Sequence, residues 1–220
     1  MTRTHRRRGT SRSAPKSAGL DSVRVAAIVV IVLVLAALAW ILLRKPQATN
    51  GARSWSQPPA LSIDLARTYQ ATIKMENGGE FTVELYPDKA PLAVNSFVFL
   101  ARQGYFDGVT FHRVIDGFMA QGGDPTGTGT GGPGYEFANE DNDLTFNKAG
   151  VVAMANAGRD TNGSQFFVTF GPQPRLDGGY TIYGQVISGL DVVNSLTRRD
   201  PTQNPSFSGD AMAAVTISEK

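Results

Sequence analysis

Residues 111–124 read FHRVIDGFMAQGGD, from Phe111 to Asp124. One arginine, Arg113, stands among Phe111, Phe118, Met119 and Gln121, with no nucleophile beside it. The stretch VTFHRVI (109–115) has strand character, so the neighbours His112 and Arg113 point to opposite faces. Met119 and Gln121 are two residues apart, as are Gln165 and Phe167 in SQFFVTF (164–170). In extended backbone each pair shares a face. If those faces converge with Phe118 and Arg113, they make an apolar pocket with a cation and two amides at its rim. The same pattern also fits an ordinary barrel core with one exposed arginine.

Outward from this stretch the chain is built of short strands. ATIKM (71–75) and EFTVEL (80–85) flank Glu76-Asn77-Gly78-Gly79, and Asn-Gly is a strong hairpin signal. Phe81, Val83 and Leu85 alternate as in a half-buried strand. Pro91–Gln103 reads as a helix, with proline at its first position and Gly104 as the stop. Ala93, Phe97, Leu100 and Ala101 give that helix one apolar face. GVVAMA (150–155), YTIYGQV (180–186) and AAVTIS (213–218) are further strands, and a second helix fits Leu190–Arg198. Many short strands with few helices predict a mainly β fold, a closed or nearly closed antiparallel barrel with helices packed on it.

The N-terminal end is of another kind. Residues 25–43, VAAIVVIVLVLAALAWILL, form a run without charge or glycine, roughly 28 Å long as a helix and close to the hydrocarbon thickness of a bilayer. The run exceeds a signal-peptide core and lacks a small-x-small exit, so an uncleaved transmembrane helix in the lipid bilayer is expected. Residues 1–24 carry seven Lys/Arg and one acid. The positive-inside rule makes them a basic cytoplasmic tail and puts the rest across the cell membrane, single-pass. Residues 44–68, with Pro46, Pro58 and Pro59, read as a flexible linker, and 69–220 as the folded domain. Residues 46–220 hold twelve Lys/Arg against eighteen acids. No nucleic-acid partner is expected on that balance.

Several chemistries drop out. There is no cysteine, and the two histidines are His5 and His112. That excludes disulfides, a thiolate nucleophile and a multi-histidine metal site; no metal is expected. GGDPTGTGTGGPG (122–134) lacks the Gly-Lys-Ser/Thr ending of a phosphate loop. Ser164 lies in NGSQ rather than in a nucleophile elbow. His112 reads as a satisfied core residue, and Asp116, Asp124, Asp141 and Asp143 as solvated loop acids.

The segments FHRVIDGFMAQGGD (111–124), GTGG (129–132), MANAG (154–158), TNGSQFFVTF (161–170) and YTIYGQV (180–186) together resemble the cyclophilins, the cyclosporin-binding peptidyl-prolyl cis-trans isomerases. APLAVNSFVFLARQGYFDGVTFHRVI (90–115) is similar to the family's first helix and following strand. The resemblance spans roughly residues 69–218. It implies a closed antiparallel barrel of about eight strands capped by two helices, an isomerase activity on proline-containing polypeptides, and no cofactor. It further implies that Phe118, Met119, Phe167 and Leu176 line a proline pocket with Tyr180 as an aromatic wall. Ala155, Asn156 and Ala157 would bind the substrate backbone, and Gly129 would leave room for the residue before proline. Gln121 and Gln165 would orient hydrogen bonds, and Arg113, assisted by Gln121, would act on the prolyl nitrogen or adjacent carbonyl. Arg175 stands where the family often has tryptophan, which implies weak cyclosporin binding. The expected role is assistance to the folding of exported or envelope proteins. The alternative is a proline-peptide-binding or chaperone module with little catalytic activity.

Overall fold

The computed structural model describes residues 53–220. Eight antiparallel strands form one curled sheet: β1 (Tyr69–Met75), β2 (Glu80–Leu85), β3 (Arg113–Ile115), β4 (Met119–Gly122), β5 (Val151–Met154), β6 (Phe166–Thr169), β7 (Ile182–Ser188) and β8 (Met212–Glu219). Their order across the sheet is β3-β4-β6-β5-β7-β2-β1-β8. Two helices, α1 (Pro91–Arg102) and α2 (Leu190–Ser195), accompany them.

The β1–β2 hairpin turns where Asn-Gly predicts it. Gly78 adopts φ +88°, and the Asn77 Oδ1 accepts the Gly79 N–H at 2.9 Å. Phe81, Val83 and Leu85 point inward and are buried. Helix α1 starts at Pro91 without a side-chain cap of its own. Its first free amides are met from far along the chain: the Glu140 carboxylate accepts the N–H of Leu92 at 2.7 Å and of Ala93 at 2.9 Å. Burial raises the pKa of Glu140, and these two hydrogen bonds oppose the rise.

The buried face of α1 is wider than the four-residue stripe, because Val94, Asn95, Ser96 and Val98 are covered too. The chain before β1 provides part of that cover. Asn95 Nδ2 donates to the carbonyls of Pro59 and Ala60, and its Oδ1 accepts the Ser62 N–H at 3.0 Å. Inside the curl, Phe97 stacks on Phe106 at 5.0 Å and meets Phe166 edge-on at 5.5 Å. Each such buried ring contributes about 1.5–3 kcal/mol. A second, smaller apolar cluster of Met119, Phe146, Val151, Ala153, Phe167 and Ile182 lies apart from this core. The functional pocket sits on that second cluster.

Four expectations change. The barrel is open rather than closed: β3 and β8 are the two edges, and no ladder joins them. Of VTFHRVI only residues 113–115 pair with β4, while 108–111 meet Asp210–Met212 at the start of β8 through a short stretch of backbone hydrogen bonds around the bridge Thr110 to Ala211. Gly209, at φ +107°, passes so close to the Phe111 carbonyl that a Cβ would collide with it. The two segments therefore run side by side only briefly and do not extend into a ladder. Met119–Gly122 is a strand in its own right. Helix α2 ends at Ser195, short of Arg198, because Asp210 captures the Thr197 N–H at 2.6 Å and turns the chain.

Residues 53–68 contain no helix or strand, yet they lie on the domain. Trp55 packs between Phe99 (5.2 Å) and Tyr105 (5.9 Å), and Ile63 is buried. Residues 44–52, the expected basic tail over 1–24 and the expected membrane span over 25–43 fall outside the described residues. Among the described residues no helix is long and apolar enough to cross a membrane.

Candidate active site

Strand register builds the site. Arg113 on β3 lies opposite Gln121 on β4, and Gln121 lies opposite Phe167 on β6, which in turn faces Ala153 on β5. A single row across four strands therefore places a cation, an amide and an aromatic ring on one face, as the two-residue spacings require.

Above this row is a cavity of about 160 Å³, lined by Arg113, Phe118, Met119, Gln121, Ala155, Asn156, Phe167, Leu176 and Tyr180. Met119 and Phe167 are its buried floor. Phe167 stacks on Phe146 at 5.7 Å and takes Tyr180 edge-on at 5.4 Å, which holds both walls. A larger groove of about 690 Å³ adjoins it, sharing Gln121, Ala155 and Asn156. Gly129, Ala157 and Gln165 line the groove rather than the pocket. The structure thus gathers all twelve expected residues, divided between two connected cavities.

The polar groups form a chain. Arg113 Nη1 donates to Gln121 Oε1 at 3.4 Å and approaches Met119 Sδ at 3.9 Å. Gln121 Nε2 donates to Gln165 Oε1 at 2.9 Å. Gln165 Nε2 donates to the carbonyls of Gly129 and Gly131 at 3.0 and 2.9 Å. Both amides are oriented at each end, and Arg113 keeps further donors free at the mouth of the pocket. Its guanidinium centre lies 5.6 Å from the Phe118 ring, and that of Arg175 lies 4.8 Å from the same ring.

Residues with no role in the site expected from sequence hold this arrangement in place. Asp124 is buried, not solvated. Its carboxylate accepts the Thr126 N–H (2.7 Å) and hydroxyl (2.8 Å) and the N–H groups of Gly129 (2.6 Å) and Gly131 (3.1 Å). Burial alone would raise its pKa, but these hydrogen bonds outweigh burial and hold it below the ordinary carboxylate value. An aspartate two residues before a threonine is a local turn signal, and GTGTGG after it supplies unpaired amides; those were the available clues. Gln173 links the turn bearing Leu176 to the turn before Phe118, its Nε2 donating to the Gly117 carbonyl at 2.9 Å. His112 is a core residue, but an unsatisfied one, with neither ring nitrogen hydrogen-bonded to protein. Burial lowers its pKa against the opposing charge of Asp124.

Nothing in the pocket can attack a substrate. An apolar box with a cation and amides at its rim suits a conformational reaction better than a covalent one. Among the described residues no group of His, Asp and Glu could hold a metal ion.

Residues 71–219 match the family described as Cyclophilin type peptidyl-prolyl cis-trans isomerase/CLD. This chain belongs to the cyclophilin-type peptidyl-prolyl cis-trans isomerases. It is 50% identical over 127 residues to peptidyl-prolyl cis-trans isomerase B of Bacillus subtilis, covering 57% of this chain and 89% of that protein. It is 48% identical over 148 residues to a Helicobacter pylori peptidyl-prolyl cis-trans isomerase, covering 66% of this chain and 90% of that one. A Cryptosporidium parvum cyclophilin type isomerase, solved in the presence of the dipeptide Ala-Pro, superposes with a TM-score of 0.62 at 34% identity, covering 69% of this chain and 99% of its own. The matched stretch begins after Trp55 and the chain that packs on α1.

Proposed function

We propose that the pocket binds proline and that Arg113 lowers the barrier to rotation about the bond preceding it. That barrier is about 18–20 kcal/mol because amide resonance opposes twisting. Phe118, Met119, Phe167, Leu176 and Tyr180 enclose the pyrrolidine ring. Ala155, Asn156 and Ala157 hold the flanking backbone, and Gly129 leaves space for the residue before proline. As the amide twists, the prolyl nitrogen regains its lone pair, and the Arg113 guanidinium donates to it or to the adjacent carbonyl. That interaction strengthens only in the twisted state, which is the requirement for catalysis. Gln121 fixes the guanidinium through its Oε1, and Gln165 fixes Gln121. No bond is made or broken, so no base or cofactor takes part.

The observation that carries this reading is the Arg113–Gln121 pair at the rim of an apolar pocket. The relative solved with Ala-Pro supports a proline-containing ligand. The test is the rate of X-Pro isomerisation in a short peptide, followed by exchange NMR with the purified full chain. Acceleration that saturates with peptide supports the reading, and a rate equal to that of the peptide alone refutes it.

We further propose that the enzyme is anchored by residues 25–43 with its domain outside the cytoplasm, where it acts on exported or envelope proteins. The apolar run and the arginine imbalance support this. The chain should remain with membranes after a carbonate wash, and protease added to spheroplasts should reach residues 46–220. Recovery of a soluble mature form starting near residue 46 would refute the anchor. Cyclosporin binding should be weak, since Arg175 offers a charge where an apolar rim would receive the inhibitor.

A further inference from the structure

We infer that Arg175 selects proline substrates that carry a carboxylate on the residues just after the proline. This rests on the isomerase reading and deepens it. Arg175 lies on the exposed 3₁₀ turn Pro174–Leu176, whose last residue lines the pocket. Its guanidinium centre is 4.8 Å from the Phe118 ring, which Arg113 also approaches at 5.6 Å. Two cations therefore flank one wall of the pocket mouth.

Neither guanidinium is in direct contact with a carboxylate. Among the described residues Arg67, Lys89, Arg102, Arg159 and Arg198 pair with carboxylates within 4.0 Å, and Arg113 and Arg175 are among the cations that do not. The nearby acids keep their charge but turn their oxygens to other donors. Asp177, on the same turn, accepts the Phe146 N–H at 2.8 Å. Asp116 pairs with Arg198 at 2.8 Å. Asp200, on the Arg113 side, accepts the Thr202 N–H and hydroxyl. A region with eighteen acids and twelve Lys/Arg thus presents, at this mouth, two guanidinium groups that no carboxylate of the domain touches. Lying against Phe118 orders the Arg175 guanidinium while its edge donors stay free, the geometry that accepts a carboxylate in two hydrogen bonds.

The direction along the substrate follows from the two cavities. Gly129 and Gln165 line the groove that joins the pocket at Gln121, Ala155 and Asn156, and the proposed role of Gly129 assigns that groove to the residues before proline. Phe118 and Arg175 are absent from its lining, so the chain leaving proline passes over them.

The test uses the purified full chain and three peptides, Ala-Ala-Pro-Ala-Xaa-Ala, with glutamate, glutamine or lysine at Xaa. At low salt, kcat/KM should be about threefold higher for glutamate than for glutamine, and lowest for lysine. The ratio should fall to about one in Arg175→Gln, invert in Arg175→Glu, and shrink for the wild type at about 0.5 M salt. Activity on all three peptides without charge discrimination overturns the proposal alone. So does a glutamate preference that survives in Arg175→Gln. A wild-type chain inactive on all three overturns the isomerase reading, and this proposal with it.

Discussion

Arg113→Ala is expected to lower kcat/KM for X-Pro isomerisation by roughly a hundredfold or more, with a much smaller loss of peptide affinity. The apolar walls that bind proline remain in this variant. What is lost is one charge-assisted donor used in the twisted state, an interaction worth about 2.7–4 kcal/mol where such donors have been removed from other enzymes. Arg113→Lys should restore little. Lysine can supply charge, but not a planar fork that bonds Gln121 on one edge while facing the substrate with another. Phe118→Ala gives the contrast: it removes pocket wall and should weaken binding as well as turnover. The measurement is exchange NMR beside a direct binding titration for each variant. Near-normal turnover in Arg113→Ala would sink the mechanism.

Asp124→Ala should be the most damaging change outside the pocket. The substitution strands three backbone N–H groups, of Thr126, Gly129 and Gly131, that share one buried carboxylate. Thr126 and Gly129 are exposed and their amides can turn to water, so a total loss of about 1–3 kcal/mol is expected rather than a full penalty for each donor. For a domain of this size that lowers Tm by roughly 2–12 °C. Activity should fall too, because Gln165 is anchored on the carbonyls of Gly129 and Gly131. The effect is also pH-dependent. The folded pKa is depressed, so the stabilisation is present above the unfolded carboxylate value, about 3.9, and is lost as pH falls through the lower folded value. Thermal unfolding of wild type and Asp124→Asn at pH 7 and pH 3 checks this. The gap between them should narrow at pH 3, and a gap independent of pH would refute the assignment.

The row from Arg113 through Gln121 to Phe167 was legible because strand periodicity turns sequence spacing directly into a shared face. Leu176 and Tyr180 were not legible in that way. They reach the pocket from a turn and a strand start, and only likeness to a family pointed to them. Asp124 was misread because burial of a loop acid depends on where the following glycines fold back. Glu140 caps α1 across more than forty residues, a contact that no local pattern announces. The barrel was expected to close because strand count suggests closure, whereas closure depends on where ladders stop. Pro58 and Pro59 made residues 53–68 look like a tether, yet their carbonyl-rich extended backbone is what Asn95 binds.

Trp55 gives that segment a consequence for how the domain can be delimited. The family match begins at residue 71, but packing begins by residue 53. The Trp55 N–H donates to the Pro133 carbonyl at 2.8 Å, on the wall of the groove, and Gly134 is bare because the passing chain leaves no room for a Cβ. A fragment trimmed to the matched boundary would uncover Phe99 and Tyr105 beside its own binding surface. Such a fragment would be sticky where it ought to be selective. The segment ahead of the family match therefore works as a lining that seals the apolar flank formed by Phe99 and Tyr105 beside the groove.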